Sequence, residues 1–137
     1  MSQMTTTYLG ELRTEGKHLK SGNTLVTDAP IDNNGKGEAY SPTDLVCAAL
    51  SSCILTTMGI VANRDGIDMK GMTAEVTKIM AVSPRRIAEI VVNMKLPEEK
   101  VNRLSEKNKQ VLKHSAHTCP VALSLHPDTK QTLLFNF

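Results

Sequence analysis

Leu45 to Ala62 is a run of eighteen residues without a charge. A chain must either bury such a stretch or place it in a membrane. Ser41-Pro42-Thr43-Asp44 stands directly before it. Ser41 suits a helix cap, Pro42 the first helical position, and Asp44 the positive end of the helix dipole. The spacing predicts a helix from Ser41 to about Asn63, with Gly66 as its stop. Because the helix is apolar nearly all round, it is expected to be central and covered on several sides. Ser51, Ser52, Thr56 and Thr57 within it, and the helix signals at both ends, favour a buried core helix over a membrane span.

Around this helix the sequence reads as α+β. Residues 5–12 and 23–28 are Thr-rich with Val and Leu, the pattern of short strands. Asp28 to Ser41 holds Pro30, Asn33, Asn34, Gly35 and Gly37, which is loop chemistry. Residues 72–82 and 86–96 flank the turn signal Ser83-Pro84-Arg85-Arg86 and suggest an antiparallel hairpin. In the second arm Ala88, Ile90, Val92, Met94 and Leu96 alternate onto one face. Pro97-Glu98-Glu99 opens a second helix, whose Val101, Leu104, Val111 and Leu112 follow helical spacing through 98–113. A short helix Pro120–Leu125, a turn at His126-Pro127-Asp128 and a strand Thr132–Phe137 complete the chain. Residues 1–137 read as a single domain with no internal repeat, a size that supports a real core.

Sixteen basic and fourteen acidic residues, spread along the chain, leave a formal charge of +2. That is no electrostatic footprint for nucleic acid, and aromatics at 3% are too few for base stacking. The N-terminus lacks a basic segment followed by an apolar one, so no secretory signal is read. Three cysteines are too few for a secreted disulfide framework. The expected compartment is the reducing cytoplasm, where any disulfide is transient and functional.

The chemistry therefore rests on thiols, and two readings stand. Free cysteines are usually inert, buried packing residues; a pair that meets in space can instead run thiol–disulfide exchange. Cys119, directly before Pro120, is placed to cap the short helix, where unsatisfied amides favour a thiolate. Cys53 lies well inside the long helix and gains little from its dipole. Local physics thus makes Cys119 the better nucleophile. Cys47 and Cys53 are six residues apart, about 120° around a helix, so they do not share a face and Cys47 reads as core. His114, His117 and Cys119 offer three zinc ligands in a short run, without the second ligand pair that makes zinc patterns specific. No paired carboxylates and no Gly-rich phosphate loop are present, and no cofactor is expected.

Two segments bring a family resemblance. Ser41-Pro42-Thr43-Asp44-Leu45, followed twelve residues after Ser41 by Cys53, resembles the start of the central helix in the OsmC/Ohr family. Cys119-Pro120-Val121 is similar to that family's Cys-Pro-Val segment, and the order of elements also fits. The resemblance implies an OsmC-like fold, with antiparallel sheets packed around a long buried central helix in an intertwined homodimer. It implies a thiol-dependent peroxidase for organic hydroperoxides, with an external dithiol as reductant and neither membrane nor nucleic acid as partner. Cys53 then maps to the peroxidatic cysteine and Cys119 to the resolving one, which reverses the ranking from local helix physics. Arg13 is the nearest match to the arginine that supports the thiolate, acting on the cysteine of either subunit.

The chain reads as a divergent member of that family. The family's peroxidases pair the arginine with a glutamate third in the cap motif, where this chain has Thr43; Asp44 and Glu38 are the nearest carboxylates in sequence. Two alternatives remain: a non-catalytic binding protein for a small apolar ligand, and a zinc-binding or redox-sensing module at His114, His117 and Cys119.

Overall fold

A computed structural model describes all residues, Met1–Phe137. The chain divides into two compact units, Met1–Val46 and Cys47–Phe137. In the first, β1 (Met4–Gly10), β2 (Arg13–His18) and β3 (Thr24–Asp28) form an antiparallel sheet in that order. The strand expected over 5–12 ends instead at Gly10. The chain turns over Glu11 and Leu12, both at positive φ (52° and 61°), a conformation non-glycine residues seldom adopt. The return strand β2 has no apolar alternation to announce it; Glu15, Gly16 and Lys17 are held by pairing to both neighbours rather than by a buried face.

After β3 the segment 29–38 closes tightly on itself. Gly35 donates its N–H to the Pro30 carbonyl at 2.9 Å, and Gly37 donates to that of Ala29 at 3.2 Å. A Cβ on Gly35 would stand 1.7 Å from the Ala29 carbonyl oxygen, so only glycine fits. The loop ends where α1 (Pro42–Asp65) begins. The Asp44 N–H donates to Ser41 Oγ at 3.1 Å, and the Ser41 N–H donates to Asp44 Oδ2 at 3.0 Å. This reciprocal capping satisfies two helix-start donors at once.

In the second unit α1 supplies the core stripe Cys47, Leu50, Ile54, Met58 and Ala62, all buried at helical spacing. The helix is long and apolar enough to cross a membrane by length and composition. It ends as expected at Gly66, whose φ of 68° suits only a residue without Cβ strain. The expectation that α1 is covered on several sides does not hold within this chain. Ala49, Ser52, Thr56 and Ile60 lie exposed along another face.

Opposite the buried stripe in composition, β5 (Arg85–Lys95) contributes Ile90, Val92 and Met94 to the same core cluster. It pairs antiparallel with β4 (Thr73–Val82), as the hairpin reading required. On its other side β5 pairs parallel with β6 (Lys130–Phe135). The helical connection between these strands is long enough for the crossover a parallel pair needs.

The helix expected through 98–113 is two: α2 (Glu98–Val101) and α3 (Glu106–Ala116). Ser105 interrupts them by capping α3, accepting from the Asn108 N–H at 3.0 Å. The fold class is α+β as expected, with two three-stranded sheets and one long helix.

Ile54 is 0% exposed at the centre of the stripe. Truncating Ile54→Ala is expected to cost about 2–5 kcal/mol in urea unfolding, and Ser41→Ala about 1 kcal/mol through the lost cap.

Candidate active site

Of the three residues singled out in sequence, Cys53 and Cys119 lie in the second unit and Arg13 in the first. Cys53 sits on α1 at the edge of the buried stripe, one residue before Ile54. It is half-buried and packs against the core cluster. Cys119 is 0% exposed and belongs to that cluster itself. Both thiols are free, and Cys53 packs against the core cluster that contains Cys119, close enough to help push the Cys119 thiol up. The fold thus brings together two sulfurs that stand 66 residues apart in sequence.

The helix α4 (Pro120–Ser124) begins at Cys119 as expected. The Ala122 N–H donates to Cys119 Sγ at 3.3 Å, and the Leu123 N–H donates to the Cys119 carbonyl at 3.2 Å. The sequence argument that this cap makes Cys119 the better nucleophile fails on burial. Removal from water pushes the Cys119 thiol above its ordinary pKa. The Ala122 N–H opposes that shift, the neighbouring Cys53 thiol adds to it, and the Val121 N–H opposes it more weakly. The net shift favours the neutral thiol at Cys119.

In the first unit Arg13 is fixed from two sides. Its Nε donates to Asp28 Oδ1 at 2.7 Å and its Nη2 to Asp28 Oδ2 at 2.8 Å, a fork-on-fork pair. Nη2 also donates to Glu38 Oε2 at 3.0 Å. Asp28 is 1% exposed and takes a further bond from the Glu38 N–H at 3.1 Å. The guanidinium holds the Asp28 carboxyl below its ordinary range against the cost of burial, and the two carboxylates hold Arg13 charged.

Sequence reading named Glu38 as one substitute for the family's glutamate and missed Asp28. The signal for Asp28 is its register directly opposite Arg13, visible only once β2 is recognised. Thr43, at the glutamate's position, turns its hydroxyl to Ser41 Oγ at 3.2 Å.

His114 and His117 are exposed, and His117 sets its ring edge to Phe135 at 6.4 Å between centroids. They do not join Cys119 in a three-ligand cluster, nor does any other trio of His, Cys, Asp and Glu.

A family model for OsmC-like proteins matches residues 35–133, and the chain belongs to that family. A crystal structure from Psychrobacter arcticus 273-4, named for osmotic stress induction and a detoxification response, is 47% identical. It matches with a TM-score of 0.92 over 99% of this chain and 96% of that one. The fold also matches an organic hydroperoxide resistance protein from Legionella pneumophila, at 18% identity and a TM-score of 0.72, over 98% of this chain and 95% of that one. A Vibrio cholerae protein named for the same resistance, with captopril bound in one of its active sites, is 16% identical. Its TM-score is 0.70, over 99% of this chain and 92% of that one. Among curated proteins none matches this chain significantly.

Because the folded pKa of Asp28 is depressed, its contribution to stability is complete above the unfolded value near 3.8 and is lost as pH falls through the folded one. Urea midpoints measured from neutral to acidic pH should fall below that point in the native protein. Asp28→Asn should be less stable at neutral pH and show a flatter acid limb.

Proposed function

We propose that this protein is a thiol-dependent peroxidase that reduces organic hydroperoxides. The observation that supports the reading is that Cys53, partly exposed, packs against the core cluster that holds the buried Cys119, in an OsmC-like frame. Cys53, as thiolate, attacks the terminal oxygen of the hydroperoxide. The O–O bond breaks, the sulfur becomes a sulfenic acid, and the alkoxide leaves to take up a proton as the alcohol. Cys119 then condenses with the sulfenic acid, releasing water and closing a disulfide. An external dithiol returns both sulfurs to thiols.

To Arg13 we assign the stabilisation of the Cys53 thiolate and of the charge developing on the leaving oxygen. Asp28 and Glu38 are positioning residues that fix its guanidinium, in place of the helix glutamate that Thr43 lacks. This anchoring argues against a frame that has lost its chemistry. The uncovered face of α1, with Ile60 66% exposed, supports assembly as a homodimer. The neutral composition of α1 around Cys53 favours organic over hydrogen peroxide.

Cys53→Ser should abolish consumption of cumene hydroperoxide with dithiothreitol as reductant, and retained turnover would reject the assignment. Cys119→Ser should permit a first turnover and then accumulate sulfinic acid at Cys53; unchanged steady-state activity would remove its resolving role. Thr43→Glu should not raise the rate, because Arg13 already has two carboxylates, whereas Asp28→Asn should lower it. A gain in Thr43→Glu would show that Asp28 and Glu38 do not replace the helix carboxylate.

A further inference from the structure

On β6 the residues that pack against the core cluster are Leu133 and Phe135, and strand alternation puts Gln131 in the same row. A long polar side chain in such a row needs a hydrogen-bond partner. Gln131 stands opposite Ile90 of β5 and is half-buried. Its Nε2 donates to the Ala122 carbonyl at 2.9 Å. That carbonyl belongs to the last turn of α4, where no amide within the helix is available to it. Two other carbonyls at this turn are satisfied locally. The Cys119 carbonyl accepts from the Leu123 N–H at 3.2 Å and that of Pro120 from Ser124 Oγ at 2.8 Å.

Little else fixes α4. It has five residues, none of them fully buried, and Leu123 is exposed. Val121 and Ala122 pack partly against the cluster. A helix this short does not persist on its own hydrogen bonds. Ala122 is also the residue whose N–H donates to Cys119 Sγ at 3.3 Å. One peptide segment is therefore tied to the thiol through its N–H and to β6 through its carbonyl.

We propose that Gln131 is a positioning residue for Cys119: by holding Ala122 from β6, it keeps the Ala122 N–H on the Cys119 sulfur. This deepens the reading of Cys119 as the resolving cysteine, and its test needs no peroxide. Burial pushes the Cys119 thiol up and the Ala122 N–H opposes that shift. The thiol gives up its proton when it condenses with a sulfenic acid, and an aligned N–H lowers the cost of negative charge on the sulfur. Gln131 sets that alignment without touching either sulfur's reaction partner.

The test compares Gln131→Met, which keeps length and bulk but has no donor, with Gln131→Ala as a second variant. Thr132→Val is the control. It removes another β6 hydrogen bond, from Thr132 Oγ1 to Glu89 Oε2 at 2.6 Å, which does not involve α4. Ionisation of Cys119 is followed by the NMR shift of its labelled Cβ in the Cys53→Ser background, which removes the ionisable neighbour. Hydrogen exchange of the Ala122 amide is read on the same samples. Both Gln131 variants should show faster Ala122 exchange, and about threefold less Cys119 thiolate at a given pH below its midpoint, as expected for weakening one hydrogen bond. Thr132→Val should leave both readouts unchanged. Unchanged titration in the Gln131 variants, or an equal change in Thr132→Val, would overturn the assignment. A peroxidase assay that fails while the expected pattern holds would reject only the hydroperoxide reading.

Discussion

An uncharged helix this long has to be desolvated, and the rest of the second unit follows from how that is done. The stripe Cys47, Leu50, Ile54, Met58 and Ala62 meets Ile90, Val92 and Met94 of β5 and Leu112 and Ala116 of α3 in one cluster. Cys119 closes that cluster at the start of α4. Burying the stripe therefore also carries Cys119 to the flank of α1 where Cys53 emerges. Hydrophobic burial, not a dedicated contact, brings the two thiols together. The same burial sets their characters. It pushes the Cys119 thiol up against the pull of the Ala122 amide, and it leaves Cys53 partly exposed.

The first unit solves a different electrostatic problem. A carboxylate as buried as Asp28 is tolerable only with a partner and several hydrogen bonds. Arg13 supplies the bidentate pair, and the Glu38 N–H supplies a further bond. The Gly35 and Gly37 turns make this possible by folding the loop back so that Glu38 reaches both residues. The arginine is thus anchored from β3 and its following loop rather than from α1. A chain with Thr43 in its cap motif can keep a fixed guanidinium by this route.

Much of this was legible in the sequence, for identifiable reasons. The uncharged run, with Ser41-Pro42 before it and Gly66 after it, determines α1 almost to its ends. The alternation from Ala88 to Leu96 determines β5. Strand β2 is not legible, because residues 13–17 owe their conformation to pairing on both sides and show no periodicity of their own. With β2 unseen, the Arg13–Asp28 register was unseen too. The break at Ser105 was hidden because Val101, Leu104 and Val111 keep helical spacing across it. For the site, Cys119-Pro120 announces the cap at Cys119 but not its effect on the thiol. Local sequence shows the helix amides but not the desolvation that outweighs them. The pairing with Cys53 was available only through the family resemblance.

The most direct measurement is the intact mass and thiol count of fully reduced protein after one equivalent of cumene hydroperoxide. The account predicts loss of two thiols and a mass decrease of about 2 Da, the two hydrogens lost on disulfide formation, mapped to Cys53 and Cys119. Unchanged thiols, or a bridge that uses Cys47, would contradict it.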